Sequence, residues 1–206
     1  MEVNGYRIAP HANLAHASLS GAKVTNADLS YADLSYASLQ GANLFFTNLT
    51  GAYLSYANLS YAHLSCANLT NANLSCANLS YANLEGAHLS CADLTNAHLS
   101  YTNLEDANLT GANLSYANLK DANLEDANLF FSNLTNTNLE DANLTDADLE
   151  RSNLERAHLY FANLYCANLS HANLSYANLD FANLTGANLT GANLTNATMP
   201  DGTIHD

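Results

Sequence analysis

The sequence predicts an all-β solenoid, a chain wound into short stacked coils, on three observations. From His11 to Pro200 the chain divides into 38 uninterrupted units of five residues, such as YANLS, CANLT and DANLE. With the Leu-type position taken as the centre, 36 units carry Leu there, Val24 and Met199 being the exceptions. Two residues earlier 33 units carry Ala, and the other five residues at that position, Thr47, Thr102, Ser132, Thr137 and Ser152, are also small.

The first nine residues, MEVNGYRIA, lie outside this phase. Arg7 and Ala9 fall where core residues would stand and Pro10 lacks an N–H, so residues 1–10 are expected to form a short N-terminal cap.

Residues 11–200 are the repeats. In an α-helix, Leu residues five apart step about 140° round the axis and leave no apolar face. The Asn, Ser and Thr that fill the remaining positions are also mediocre helix formers. In a strand, Ala and Leu two apart share a face, but an odd period reverses that face at every unit. The chain must therefore turn once in five residues to keep both inside. A small residue two before Leu lets successive sides approach closely.

Residues 201–206 follow as a C-terminal cap. Pro200-Asp201-Gly202 is a turn signal. Gly202 and Ile204 fall in the small and large core phases, so Ile204 is expected to point inward. Neither end has the length or pattern of a capping helix, which leaves a monomer or an end-to-end homodimer as the expected states. The whole chain, 1–206, is read as one domain.

The motif A-(N/D)-L-(S/T)-x, tandem over about nine-tenths of the chain, resembles the pentapeptide-repeat protein family. The resemblance implies a right-handed quadrilateral β-helix of four units per coil, with the central Leu and the preceding Ala inward and the other three positions outward. About nine and a half coils result, and at the ~4.8 Å spacing of a β-ladder the rod is roughly 45 Å long. Leu residues twenty apart then stack, each contributing roughly 1.5–3 kcal/mol when fully buried.

Charge narrows the function classes. Nineteen acids against five Lys and Arg give a formal net charge of −14. Direct binding to nucleic acid or to an anionic membrane surface needs a basic surface, so neither is expected, and a protein partner is. The N-terminus has no apolar signal region and no stretch approaches the roughly 18 apolar residues of a membrane span. Secretion would also expose dense Asn-Leu-Ser/Thr triplets to glycosylation, so a cytoplasmic, reducing setting is expected.

With a twenty-residue coil, outward columns can be read directly. Tyr61, Tyr81 and Tyr101 form one, continued by Phe161 and Phe181 beyond Asp121 and Asp141. This aromatic patch is a candidate partner contact, although stacked aromatics also stabilise neighbouring rungs. Beside it are expected Glu85, Glu105 and Glu125, and round the corner Asp106, Asp126 and Asp146. Together these six form a candidate acidic edge for a basic partner. The plainer reading, a solvated face that keeps a β-rod soluble, is the favoured one, with Lys120, Arg151 and Arg156 expected to interrupt the strip. The Phe45–Phe46 and Phe130–Phe131 pairs fall on neighbouring sides and do not build one site.

Cys66, Cys76, Cys91 and Cys166 match no zinc spacing and fall on separate columns or distant coils, so no metal, cofactor or disulfide is expected. His63, His88, His98 and His158 are scattered, only His98 and His158 sharing a column. Interior slots filled by Leu and Ala leave no pocket for converging titratable groups, so no enzymatic activity is expected. A non-enzymatic structural or protein-interaction scaffold is the first functional expectation. DNA mimicry toward a type II topoisomerase such as DNA gyrase is the alternative that the resemblance implies, although inserted loops and a dimerising helix are lacking. Ice binding is a third, suggested by the column Ser35, Ser55, Ser75, Thr95, Ser115 and Thr135. Neighbouring Tyr and acids spoil the flatness it needs.

Overall fold

The computed structural model describes residues 1–206. The chain winds as a right-handed quadrilateral β-helix whose pairing is set by one offset. Each Asn-type residue bridges in parallel to the residue twenty further on, from Asn13↔Asp33 to Asn178↔Thr198. Four units therefore make a coil, and every unit is one side of the quadrilateral plus a corner.

The unit Thr102–Asp106 shows how the backbone is satisfied. Leu104 N–H donates to Asn123 O at 2.7 Å and Asp106 N–H to Glu125 O at 3.0 Å, both on the following coil. Asn103 N–H reaches back to Ala82 O at 3.0 Å. The turn closes when Ala107 N–H donates to Leu104 O at 3.0 Å. That leaves the N–H of Glu105, which no backbone carbonyl takes. The Asn103 side chain takes it, Oδ1 accepting at 3.2 Å. The Asn of the repeat is therefore the acceptor for the one amide that the coil geometry leaves over, and Asp28, Asp33, Asp93 and Asp148 do the same where Asp replaces it.

Each corner places its second residue at positive φ, a requirement of this kind of four-residue turn that normally selects Gly. Only seven of the 38 corners carry one; Tyr, Asp, Cys, Phe, His, Asn and Arg occupy the rest at φ of 53–62°. The left-handed conformation costs on the order of 1–2 kcal/mol per residue. Each such residue recovers a turn hydrogen bond and, over most of the rod, a rung-to-rung bond.

Inside, the Leu-type residues from Leu14 to Leu179 are buried to 2% exposure or less. The five polar residues at the Ala-type position are buried without an orphaned group. Thr47, Thr102 and Thr137 donate to Val24, Leu79 and Leu114 carbonyls at 2.7–2.9 Å, and Ser132 and Ser152 donate to Leu129 and Leu149 carbonyls at 2.7 Å.

The two ends differ. At the N-terminus β1 (Glu2–Val3) and β2 (Tyr6–Arg7) form an antiparallel hairpin around Asn4-Gly5, both at positive φ. It lies over the first coil: Ile8 is buried, Asn4 Nδ2 donates to Ser18 O at 3.2 Å, and Ser18 N–H donates to Tyr6 Oη at 3.3 Å. At the C-terminus the expectation that Ile204 enters the core fails, since it is 58% exposed. Pro200 to Gly202 reverses the chain, with Gly202 N–H on Met199 O at 2.9 Å, and Ile204 pairs antiparallel with Thr198 instead of starting another coil. The tail covers one side of the last coil. On the other sides Leu184, Leu189 and Leu194 are only partly buried and their N–H groups lack the backbone acceptors found one coil earlier.

Candidate functional site

The corners carry most of the exposed aromatic and acidic side chains, each corner presenting two outward residues per coil at ladder spacing. The Tyr61–Tyr81–Tyr101 column forms as expected. Ring centroids lie 5.0 and 4.9 Å apart with planes within 6° of parallel, and Phe161 stacks on Phe181 at 5.1 Å further along. Asp121, one rung beyond Tyr101, pushes that phenol above its usual range, first as a hydrogen-bond acceptor and then by its charge.

The acidic residues fall differently from their expected placement. Glu85, Glu105 and Glu125 share one corner with Asp106, Asp126 and Asp146, while the tyrosine column stands on the preceding corner, a full side away. All six expected residues thus form one edge, with Glu and Asp alternating as first and second corner residues.

The cations do not interrupt it. Lys120 pairs with Glu140 at 2.7 Å and Asp141 at 3.6 Å on the tyrosine corner. Arg151 pairs with Glu150 at 3.6 Å and Arg156 with Glu155 at 3.9 Å, each on a further corner. Their guanidinium groups also lie over the Phe131 and Tyr176 rings at 5.9 and 5.6 Å. Arg7 and Lys23, the remaining bases, belong to the N-terminal hairpin and the first coil. None of the six acids on the edge from Glu85 to Asp146 has a salt bridge, and no other corner gathers as many unpaired acids.

What holds that edge in shape was not anticipated. The side between the tyrosine and acidic corners carries an unbroken amide ladder, Asn83, Asn103, Asn123, Asn143, Asn163 and Asn183, each Nδ2 donating to the preceding Oδ1 at 2.9–3.5 Å. Asn123 and Asn143 also donate to Glu105 and Glu125 Oε2 at 3.3 and 3.2 Å, laying those carboxylates along the ladder. The same column arithmetic also yields a second aromatic stack, His16–Tyr36–Tyr56, with centroids 5.0 and 4.9 Å apart.

The Phe45–Phe46 and Phe130–Phe131 pairs are each edge-to-face and lie on different corners. Cys66, Cys76, Cys91 and Cys166 are free thiols on the corners, and His63, His88, His98 and His158 lie on the sides, His98 and His158 in one column. No group of His, Cys, Asp and Glu stands in metal-binding proximity, no pocket opens into the rod, and no helix is long and apolar enough to cross a membrane. In the hydroxyl column, Ser75, Thr95 and Thr135 donate to their own Asn or Asp side chains at 2.6–2.7 Å. Those groups are turned onto the protein and do not stand free as a lattice for ice.

The sequence model described as pentapeptide repeats matches residues 11–44, 52–90, 87–126, 122–159 and 162–199 in eight copies. No curated protein matches the chain. Among solved structures, HetL, a pentapeptide repeat protein involved in heterocyst differentiation regulation from the cyanobacterium Nostoc sp. strain PCC 7120, is 37% identical, over 89% of this chain and 92% of its own, with a TM-score of 0.53. A pentapeptide repeat protein from the Arabidopsis thaliana thylakoid lumen is 33% identical over 46% of this chain and 66% of its own, with a TM-score of 0.46. QnrB1, a plasmid-mediated fluoroquinolone resistance protein, is 20% identical over 73% of this chain and 78% of its own, with a TM-score of 0.35; that likeness is one of fold alone.

Proposed function

The chain belongs to the pentapeptide-repeat family, and from that premise we propose that it acts without catalysis, as a rigid scaffold that docks a basic protein partner along its acidic corner. The observation that carries this is the segregation of charge. Lys120, Arg151 and Arg156 are each tied to acids on other corners, while Glu85, Glu105, Asp106, Glu125, Asp126 and Asp146 have no cation. If solubility alone placed the acids, interspersed pairs would serve on every corner. Instead one edge keeps a run of like charge that works against the rod's own stability and would favour a basic surface docking on it.

The test is affinity capture from the native host under two charge changes. Neutralising Glu105, Asp106, Glu125, Asp126 and Asp146 to their amides should abolish capture of one specific partner, whereas neutralising Glu140 and Asp141 should leave it. Equal loss in both variants, or in neither, rejects the acidic corner as the contact.

DNA mimicry of a type II topoisomerase substrate is the weaker reading. Duplex DNA presents two phosphate rails, and here six unpaired carboxylates gather on one edge while Asp33, Asp93, Asp121, Asp148 and Asp180 lie scattered over other faces. Gyrase supercoiling unchanged by high protein concentration, with and without a quinolone, is the expected result. The four free thiols suit a cytoplasmic, reducing setting. A monomer and an end-to-end homodimer both fit the rod. The partly buried Leu184, Leu189 and Leu194 are the surface a second copy would meet, and sedimentation at rising concentration separates the two states.

A further inference from the structure

Two neighbouring corners hold tyrosines in register: Tyr36 on Tyr56 at 4.9 Å and 3° between planes, and Tyr61, Tyr81 and Tyr101 at 5.0 and 4.9 Å and 3–6°. All five rings are about half exposed. Stacking stabilises the rungs, but it also fixes the phenols in a geometry with a chemical consequence. Like carbons of successive rings face each other about one rung apart, on side chains half exposed to solvent.

We propose that these stacks are oxidative modification sites, at which a one-electron oxidant of the haem-peroxidase class, driven by hydrogen peroxide, joins neighbouring rings as dityrosine and staples coil to coil. Each phenol gives up one electron to the oxidant and its hydroxyl proton to solvent. The two phenoxyl radicals pair through their ortho carbons, forming a C–C bond. Each ring then loses its ortho proton and regains one at oxygen, restoring aromaticity. The balance is two tyrosines plus one hydrogen peroxide to one dityrosine plus two waters, a loss of two hydrogens from the protein.

Two features direct the coupling within one molecule. The partner ring is held in contact, so its effective concentration far exceeds that of any ring on another copy. The net charge of −14 keeps other copies apart. Exposure alone does not select the sites, because Tyr53 is similarly exposed, Tyr116 is more exposed, and neither has a ring stacked on it. In a rod whose coils touch only their neighbours, a bond between coils holds the rung even when its hydrogen bonds open.

The test treats the full-length protein, dilute, with peroxidase and hydrogen peroxide, followed by proteolysis and mass spectrometry. Peptides joined at Tyr36–Tyr56, Tyr61–Tyr81 or Tyr81–Tyr101, lighter by two hydrogens, should exceed those involving Tyr53 or Tyr116 by at least ~10-fold. Tyr81→Phe keeps a ring in the stack but lacks the phenol. It should remove both links at residue 81 and leave Tyr36–Tyr56 intact. Absence of dityrosine, coupling only between molecules, yields at Tyr53 and Tyr116 equal to those in the stacks, or links at 61 and 101 undiminished by Tyr81→Phe would each overturn the proposal.

Discussion

Asn123 donates from Nδ2 to Asn103 Oδ1 at 3.2 Å, while that same oxygen accepts the Glu105 N–H at 3.2 Å. One carbonyl oxygen thus closes its own corner and links to the next coil, and the pattern repeats along the side. Replacing Asn123 with Ala removes the acceptor for Glu125 N–H and the donor to Asn103 and Glu105. Because the site is only part-buried, water can replace some of what is lost, and a cost of about 1 kcal/mol is expected in chemical denaturation.

Asn123→Asp separates the two roles. It keeps the acceptor for Glu125 N–H but sets a carboxylate against Asn103 Oδ1 and Glu105. It should be less stable than the parent at pH 7, with the deficit shrinking toward about pH 3 as the carboxyl gains a proton and can donate again. A deficit independent of pH would mean that the carboxylate's charge and lost proton are not its cause.

Gly51 and Gly41 share the same corner conformation, at φ of 62° and 63°, but not the same surroundings. A Cβ at Gly41 meets nothing within 4 Å, whereas one at Gly51 falls 2.5 Å from Tyr31 Cε1. Gly41→Ala should therefore cost only the backbone term, roughly 1 kcal/mol. Gly51→Ala must in addition swing the Tyr31 ring off its stack on His11, now at 5.3 Å. Urea midpoints should rank parent above Gly41→Ala above Gly51→Ala, and equal midpoints for the two variants would show that Tyr31 moves without cost.

How much of this was legible in the sequence differs by residue. Leu104 and Leu124 were placed inward by period alone, because only a turn every fifth residue keeps Ala and Leu on one face. Column arithmetic likewise set Tyr61 on Tyr81. The role of Asn103 was not legible from period, since it depends on which backbone N–H the closed coil leaves without a carbonyl. Tyr61 at positive φ contradicts its local preference and is imposed by the turn. The Asn4-Gly5 hairpin carried a signal, two residues that favour positive φ between short β-prone pairs, that went unused. Ile204 misled because phase persisted beyond Pro200, where the chain reverses. The separation of the cations from the acidic corner required the corners to be told apart, and counting acids along the chain merges them.

Leu104 is 1% exposed at the centre of the rod, stacked between Leu84 and Leu124. Leu104→Asp deletes its packing, a loss of about 2–5 kcal/mol for large-to-small changes, and adds a carboxylate with no partner in an interior of Leu and Ala. Since coils touch only their neighbours, the damage should be local: hydrogen-exchange protection lost in the coils around residue 104 and retained near residue 24. The thermal midpoint should fall sharply. An unchanged midpoint would show that the Leu positions do not form the core.

Asp201 accepts from Thr203 Oγ1 at 2.6 Å and Thr203 N–H at 3.0 Å, and these bonds hold its carboxyl below the ordinary value of 3.8. Asp28 is lowered as well, chiefly by the Ser30 N–H at 3.0 Å, with Ser30 and Asn48 side chains helping. A carboxyl depressed by folding contributes stability that is complete above its unfolded pKa and disappears as pH falls through its folded one. Lys120 has the opposite sign: its hydrogen bond to Glu140 raises it above 10.5, so its contribution is complete below that value and lost as pH rises through the raised one. Stability should accordingly be flat across neutral pH and fall on both limbs. The acid limb should be felt at the C-terminal tail, where the protection of the Thr203 and His205 amides, taken relative to their intrinsic exchange at each pH, should fall below about pH 4. Asp201→Asn keeps an oxygen acceptor but has no charge to lose, so those two amides should then exchange with little dependence on carboxyl titration. Unaltered acid sensitivity in that variant would place the tail's anchoring elsewhere, on the Asn196–His205 and Ala197–His205 backbone bonds alone.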